Sequence, residues 1–421
     1  MKICMITTMT PASENIRGTS ALPYHLIKGS HSLSIPDREG ACDALNDKGN
    51  EKIDIEIYTF NNNGLSDEKI AEVEKELNVK INKVSLPKWF LIVFKFRLLF
   101  IRLFLKYPIH HYIKMPQNYV EEIKAKKPDL IWVYGAEWSK VVNQFKGYQR
   151  IHTLPDSEAL YYYRMLGQRF VLHDWKKFWR CVFMYPKFLA LERDYSTELS
   201  VHYHLVGQAD ADFIKNNNPG IDARFIKHPH YQVLDAQREI RFHQPRIRLL
   251  IAGQYNYYMQ QEADLLVEQI CNVNVNENFL REHYDFTFLG KGWEKHVESL
   301  REAGYEVKHV SFAENYQKEL VKHDIQITPI TIGTGTKGKV LDALANGLLV
   351  IGTSYAMENI AVQHGVSCIE YHHPDEVVQA LLDIPCHIEK YEEMARQGRQ
   401  QVLTQHGWKV VSDQLFNIFR K

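Results

Sequence analysis

Short runs rich in β-branched and aromatic residues alternate with segments of helical periodicity along the whole chain, and that alternation leaves few folds open. The first series reads KICMITT, IDIEIYTF, DLIWVYG, RIHTL and VHYHLVG; the second reads IRLLIAG, DFTFLG, EVKHVSF, IQITPI, LLVIGT and a weaker SCIEY. Strands joined through helices need crossover connections, so they pair in parallel and have both sheet faces covered. Two such series in 421 residues predict an α/β protein with two Rossmann-like, doubly wound parallel-sheet domains. The polar stretch KHPHYQVLDAQREIRFHQPRIR, interrupted by Pro229 and Pro245, reads as a hinge over 228–245. That places a first domain at 1–228 and a second at 246–403, with 404–421 a terminal helix that can cross back to the first.

Charge and cysteine usage remove several function classes. Lys+Arg and Asp+Glu both number 51, so no global field draws the chain to nucleic acid, and no nucleic-acid partner is expected. The six cysteines contain no C-x-x-C pair, which fits scattered reduced thiols rather than a disulfide framework or a zinc knuckle. The N-terminal MKICMITTMTP has too short an apolar run for a signal-peptide core and reads as a first buried strand. A cytoplasmic location follows as the expectation.

The stretch most suggestive of chemistry is GTGTKGKVLDALANG, from Gly333. It fits the G-x-x-x-x-G-K phosphate loop through Gly338 and Lys339, but Val340 stands where a Ser or Thr would ligate magnesium. A glycine-rich turn running into a helix still offers backbone N–H groups to an anion. Without a metal ligand, it suits a nucleotide diphosphate held as a leaving group by N–H groups and lysines. A plain turn explains the loop equally well when it is taken alone.

A second unusual stretch is LPKWFLIVFKFRLLFIRLFLK, at 86–106, inside a span from Leu77 to Val120 that holds no acidic residue. On one continuous helix, Lys88, Lys95, Arg102 and Lys106 share a stripe, with Arg97 off it. The charges argue against spanning a bilayer. An interfacial helix on an anionic membrane surface is expected, with a core helix whose lysines reach solvent as the alternative.

The block ITPITIGTGTKGKVLDALANGLLVIGTSYAMENI closely resembles the donor-binding region of family 4 glycosyltransferases of the GT-B fold. The likeness extends from IRLLIAG to the final helix with Trp408. It is weaker in the first half, where KICMITT, Gly18-Thr19 and IHTLPDS take corresponding places. It implies two domains facing across a cleft, a nucleotide-diphosphate-sugar donor held mainly by the second, and transfer to a glycan or lipid-linked acceptor, with retention. The resemblance assigns Gly18, Thr19, Gly333, Thr334, Gly335, Thr336, Lys337, Lys339 and Asp342 to the donor, Asp342 at its ribose. It gives His152 a contact to the donor sugar and Asp156 one to the acceptor or to charge on the sugar. Relatives carry E-x7-E here; Thr334 replaces the first carboxylate and Asp342 the second. Gln254 replaces the basic residue common after the strand that opens the second domain, leaving Lys291 or Lys337 to substitute.

Asp210-Ala-Asp212 looks like a manganese-binding D-x-D, but its position between strand and helix suits capping better. His228-Pro-His230 and His372-His373 lack the spacing of a zinc site. No metal and no cofactor beyond the donor substrate is expected. Two other readings stay open: a P-loop-like NTPase, and a catalytically inactive, membrane-associated nucleotide-sugar-binding protein.

Overall fold

The computed structural model describes residues 1–13, 20–31, 53–136, 138–168, 174–272 and 278–419. The chain forms two compact units, one of Met1–Pro229 with Trp408–Lys421 and the other of His230–Gly407.

The first unit is built on a seven-stranded sheet in the order β3-β2-β1-β4-β5-β6-β7. Its strands are β1 (Lys2–Thr7), β2 (Asp54–Thr59), β3 (Lys80–Lys83), β4 (Leu130–Tyr134), β5 (Gln149–Leu154), β6 (Val201–Leu205) and β7 (Ala223–Phe225). All neighbouring pairs are parallel. The central strands carry apolar residues on both faces because helices cover both; every residue of β4 is buried. The sequence reading omitted β3 (KINK) and β7 (ARF). Both are short edge strands and half solvated, so neither has an apolar run to reveal it. The terminal helix Trp408–Phe416 belongs to this unit. Ser412 Oγ donates to the Leu26 carbonyl of helix Ala21–His31 at 2.6 Å, and the Phe416 ring meets Trp132 edge-on.

The second unit holds a six-stranded parallel sheet in the order β10-β9-β8-β11-β12-β13. Its strands are β8 (Ile247–Ala252), β9 (Tyr284–Leu289), β10 (Val307–Val310), β11 (Ile325–Thr328), β12 (Leu349–Thr353) and β13 (Ile369–Tyr371). Residues 230–245, read from sequence as a hinge, lie within this unit. Ile240 and Phe242 are core residues. The polar groups around them are satisfied by buried carboxylates: Phe242 N–H donates to Glu392 at 2.9 Å, and His243 donates to Asp324. A polar segment that finds buried acceptors becomes part of a fold; composition alone cannot show that those acceptors exist.

Candidate active site

In an open parallel sheet, ligands bind beyond the carboxyl ends of the strands, where the strand order reverses. In the second unit that point lies between β8 and β11, so the loops after these two strands define the candidate site. Thr331 N–H donates to the Tyr258 carbonyl at 2.9 Å and ties the two loops together. The loop after β9 joins them, because Tyr255 N–H donates to the Lys291 carbonyl at 2.9 Å.

The glycine-rich loop follows β11 and runs into helix Gly338–Ala345. Gly335 has φ +61°, a left-handed turn that most side chains disfavour. Val340 and Leu341 N–H groups bond back to the Lys337 carbonyl. The Gly338 and Lys339 N–H groups have no acceptor among the described residues, so the helix presents two amides and the positive end of its dipole. Val340 is fully buried in the core, and its position offers no hydroxyl for magnesium.

The two lysines have different settings. Lys337 Nζ donates to the carbonyls of Thr334 and Gly335, at 3.2 and 3.0 Å, and lies 3.6 Å from Glu358. It therefore staples the loop. Asn359 adds a bond to the Gly335 carbonyl at 3.1 Å. Lys339 keeps part of its side chain in water, but its Nζ folds back to the other side of the switch point, 3.4 Å from where a Cβ on Gly253 would stand, among groups that strip part of its hydration. Loss of hydration lowers its pKa, and Asp342 opposes that shift. Lys291 is exposed beyond β9, and no ion pair of its ammonium is found among the described residues. Thr334 and Thr336 are half-buried in the loop.

Asp342 departs from the expected ribose contact. It is 3% exposed, and its Oδ1 accepts from Tyr231 N–H at 3.0 Å. Burial raises its pKa to about 7, against the lowering effect of bonds from Tyr231, Gln317 and Gln232 and of the Lys339 charge. As it stands, the carboxyl pins residues 231–232 to the helix start rather than facing a ligand. Tyr316, beside it, buries a hydroxyl with no partner among the described residues, and its ring lies 5.9 Å from Lys339 Nζ. Tyr231 and Tyr316 carry no signal in the sequence, because tyrosines outside a motif look like any others; Glu358 lies inside the block that ends at Ile360, but its pairing with Lys337 is set by the fold.

In the first unit the reversal lies between β1 and β4. Gly18 and Thr19, expected in the loop after β1, lie outside the described residues. His152 is on β5 and is fully buried. Its Nε2–H donates to the Gly135 carbonyl at 2.7 Å, and its ring packs against Tyr195 and Tyr203. Its Nδ1 has no partner among the described residues, and burial lowers its pKa to about 4. A neutral ring so enclosed cannot touch a sugar without rearrangement; what it does here is fix the turn after β4. Asp156 is half-buried just beyond the end of β5. The helix that follows is capped by Ser157, whose Oγ accepts from Leu160 N–H at 3.1 Å, so Asp156 is not its N-cap. Asp210, half of the D-x-D, is buried and accepts from Ser157 N–H at 2.8 Å.

The single basic stripe expected over 86–106 does not form. Helix Lys88–Lys95 ends at Phe96, Arg97 turns left-handed at φ +53°, and a 3-10 helix spans Leu99–Phe104. On both sides of that turn the segment is anchored: Phe90 and Val93, then Leu98, Ile101 and Leu105, pack on the core of the first unit. Lys88 and Lys95 stay exposed, Arg102 lies over the Phe94 ring at 5.2 Å, and Lys106 pairs with Asp194 at 2.8 Å. No helix among the described residues is long and apolar enough to cross a membrane.

Residues 246–385 match the family model for glycosyl transferases group 1. No curated protein sequence matches the chain. Among solved structures, sucrose-phosphate synthase from Thermosynechococcus elongatus is similar with a TM-score of 0.62 at 12% identity, covering 100% of this chain and 98% of that one. The lipopolysaccharide outer core galactosyltransferase WaaB gives 0.60 at 13%, covering 100% and 99%. HepE from Anabaena, in complex with UDP, gives 0.58 at 10%, covering 100% of both chains. At these identities the likeness establishes the fold, which is GT-B.

Proposed function

We propose that this chain, a glycosyltransferase of the GT-B fold with a glycosyl transferases group 1 domain at 246–385, moves a sugar from a nucleotide-diphosphate donor to a lipid-linked acceptor or a cell-surface polysaccharide precursor. The observation that carries the donor assignment is the pair of open amides at Gly338 and Lys339, with the Lys339 ammonium, at the β8–β11 switch point. In the reaction the bond from the sugar C1 to the diphosphate oxygen breaks. The acceptor oxygen bonds to C1, and its proton passes to the departing diphosphate oxygen. Negative charge grows on the departing diphosphate, where two fixed N–H dipoles and one cation stabilise it without reorganising. The Gly333–Lys337 loop, stapled by Lys337, sets those groups in place; Lys291 supplies a second cation from the loop after β9.

Asp156 acts on the acceptor side, and transfer retains the anomeric configuration. The protein works in the cytoplasm, at the inner face of a membrane where a lipid-linked acceptor is exposed. A UDP-glucose complex of HepE has the same fold at 11% identity and a TM-score of 0.55, which makes UDP the first nucleotide to test. The test is isothermal calorimetry with UDP, GDP and ADP, followed by product analysis with the matching sugar nucleotides. Binding of one diphosphate at micromolar to sub-millimolar concentration, lost on Lys339→Met, is expected. No heat with any of the three at millimolar concentration overturns the donor assignment.

A further inference from the structure

The first unit carries an apolar surface that no part of the described chain covers. Phe96, Phe100, Leu103 and Phe104 are 63, 60, 58 and 83% exposed, and Leu91 and Ile92 about half. Helix Trp175–Arg193 adds a second apolar stretch that is absent from the 86–106 reading. Trp175, Trp179 and Phe183 recur every four residues, are exposed, and meet ring to ring, the first pair edge-on and the second tilted, with centroids 5.2 and 5.8 Å apart. A soluble monomer rarely leaves so many large apolar side chains together in water.

Between the two stretches lies a cavity of about 270 Å³. The 99–110 segment contributes Arg102 and His110 to its lining, and helix Trp175–Arg193 contributes Arg180 and Lys187. Glu158 is the one carboxylate in the lining. The segments are fastened at its margin by Lys187 donating to the Leu105 carbonyl and by the Lys106–Asp194 ion pair. Arg102 leaves its Nε buried with no acceptor among the described residues. Burial also holds the Lys187 ammonium below its ordinary pKa. An orphaned donor among dehydrated cations calls for an anion with several oxygens, and a planar guanidinium suits a phosphate.

We propose that this face docks on a lipid bilayer bearing anionic phosphate headgroups, with the two apolar stretches at the headgroup–acyl boundary and one lipid phosphate in the Arg102 cavity. Charge complementarity selects the occupant. The lining has two guanidinium groups and one ammonium against one carboxylate, and the flanking span Leu77–Val120 has no acidic residue at all. Tryptophan and basic side chains at one surface are the composition of an interfacial contact. Glu158 in the cavity is two residues from Asp156, so a docked headgroup lies next to the proposed acceptor loop. The docking gains its purpose from the membrane-borne acceptor proposed above, but it is measured without donor or acceptor.

The experiment is co-sedimentation of the full chain with three kinds of vesicle: phosphatidylcholine alone, phosphatidylcholine with phosphatidylglycerol, and phosphatidylcholine with oleate at matched surface charge. Phosphatidylglycerol vesicles should retain the protein best and oleate vesicles several-fold less. Arg102→Gln should weaken binding to phosphatidylglycerol about fivefold, the contribution of one surface cation, and erase the preference over oleate. If Arg102→Gln melts early, Arg102→Lys, which keeps the charge and loses the fork, should reduce the preference alone. Trp175→Ser with Trp179→Ser should weaken binding to all three. Equal binding to oleate and phosphatidylglycerol, no sedimentation of wild type at low salt, or glycerol phosphate binding as tightly as the vesicles overturns the proposal. So does a dimer of wild type that the tryptophan variant dissociates, since the face would then meet a second copy. UDP protection against heat, run on the same proteins, reports on the donor site separately: its absence would remove the donor assignment and leave the docking result intact.

Discussion

His152→Phe separates two roles for the one histidine that the sequence pointed to as catalytic. The replacement keeps the ring volume but deletes the Nε2–H that the Gly135 carbonyl accepts at 2.7 Å. The Gly135 carbonyl keeps the longer bond from Trp138 N–H at 3.3 Å, so the variant loses one hydrogen bond's net contribution and should be about 0.5–1.5 kcal/mol less stable at pH 7.5. The pH dependence carries more information. Burial lowers the His152 pKa from an ordinary 6.5 to about 4. A folded pKa below the unfolded one contributes stability that is present above pH 6.5 and is lost as pH falls through the folded value. By pH 4.5 the loss attributable to this one ring is about 2.5 kcal/mol. The variant has no such loss, so its deficit should shrink with acid and approach zero or reverse near pH 4.5. His111 and His204, held at about 4 and 3 by burial in the same unit, make both proteins acid-labile and cancel in the difference. The assay is urea denaturation at several pH values from 7.5 to 4.5, with UDP affinity and transfer rate measured at 7.5. A deficit that does not change with pH refutes the buried neutral ring. A loss of transfer far beyond that of an equally destabilised core variant, with UDP affinity intact, refutes the structural role and restores the sugar contact.

Lys339→Met should weaken nucleoside diphosphate binding by roughly tenfold to a hundredfold, the worth of a charge-assisted hydrogen bond, while Lys337→Met should chiefly lower stability; calorimetry beside melting curves distinguishes them. Asp342→Asn should flatten the stability profile between pH 4 and 7. A carboxyl whose folded pKa is raised to about 7 loses stability as pH rises through that window, and an unchanged profile would mean the group is not buried as described. Gly290→Ala should destabilise the second unit by several kcal/mol and reduce soluble yield, because a Cβ there would stand 2.2 Å from the Gly253 carbonyl at φ +134°; a variant that melts with wild type contradicts that close approach.

Strands that alternate with helices are a local property, written in periodicity and β-branched content, so the two doubly wound sheets and all their strands but the short edge strands β3 and β7 are legible from one sequence. So was the glycine-rich loop, because glycine, lysine and the following helix are neighbours in the chain. What the tertiary structure decided is which side chains those loops leave open. Lys337 and Lys339 are two residues apart and look equivalent in sequence, yet one is spent on the loop's own carbonyls and the other reaches across to the loop after β8. Asp342 faces a backbone N–H more than a hundred residues away in the chain. His152 owes its enclosure to strands and tyrosines that no motif connects to it. The 86–106 segment has the composition of an interfacial helix, but its first helix ends after eight residues and residues on both sides of the break pack on the core of the first unit. Helix Trp175–Arg193 then completes the apolar face. Burial, partnering and the meeting of distant segments are set by long-range packing, and a side chain's pKa and availability follow from those.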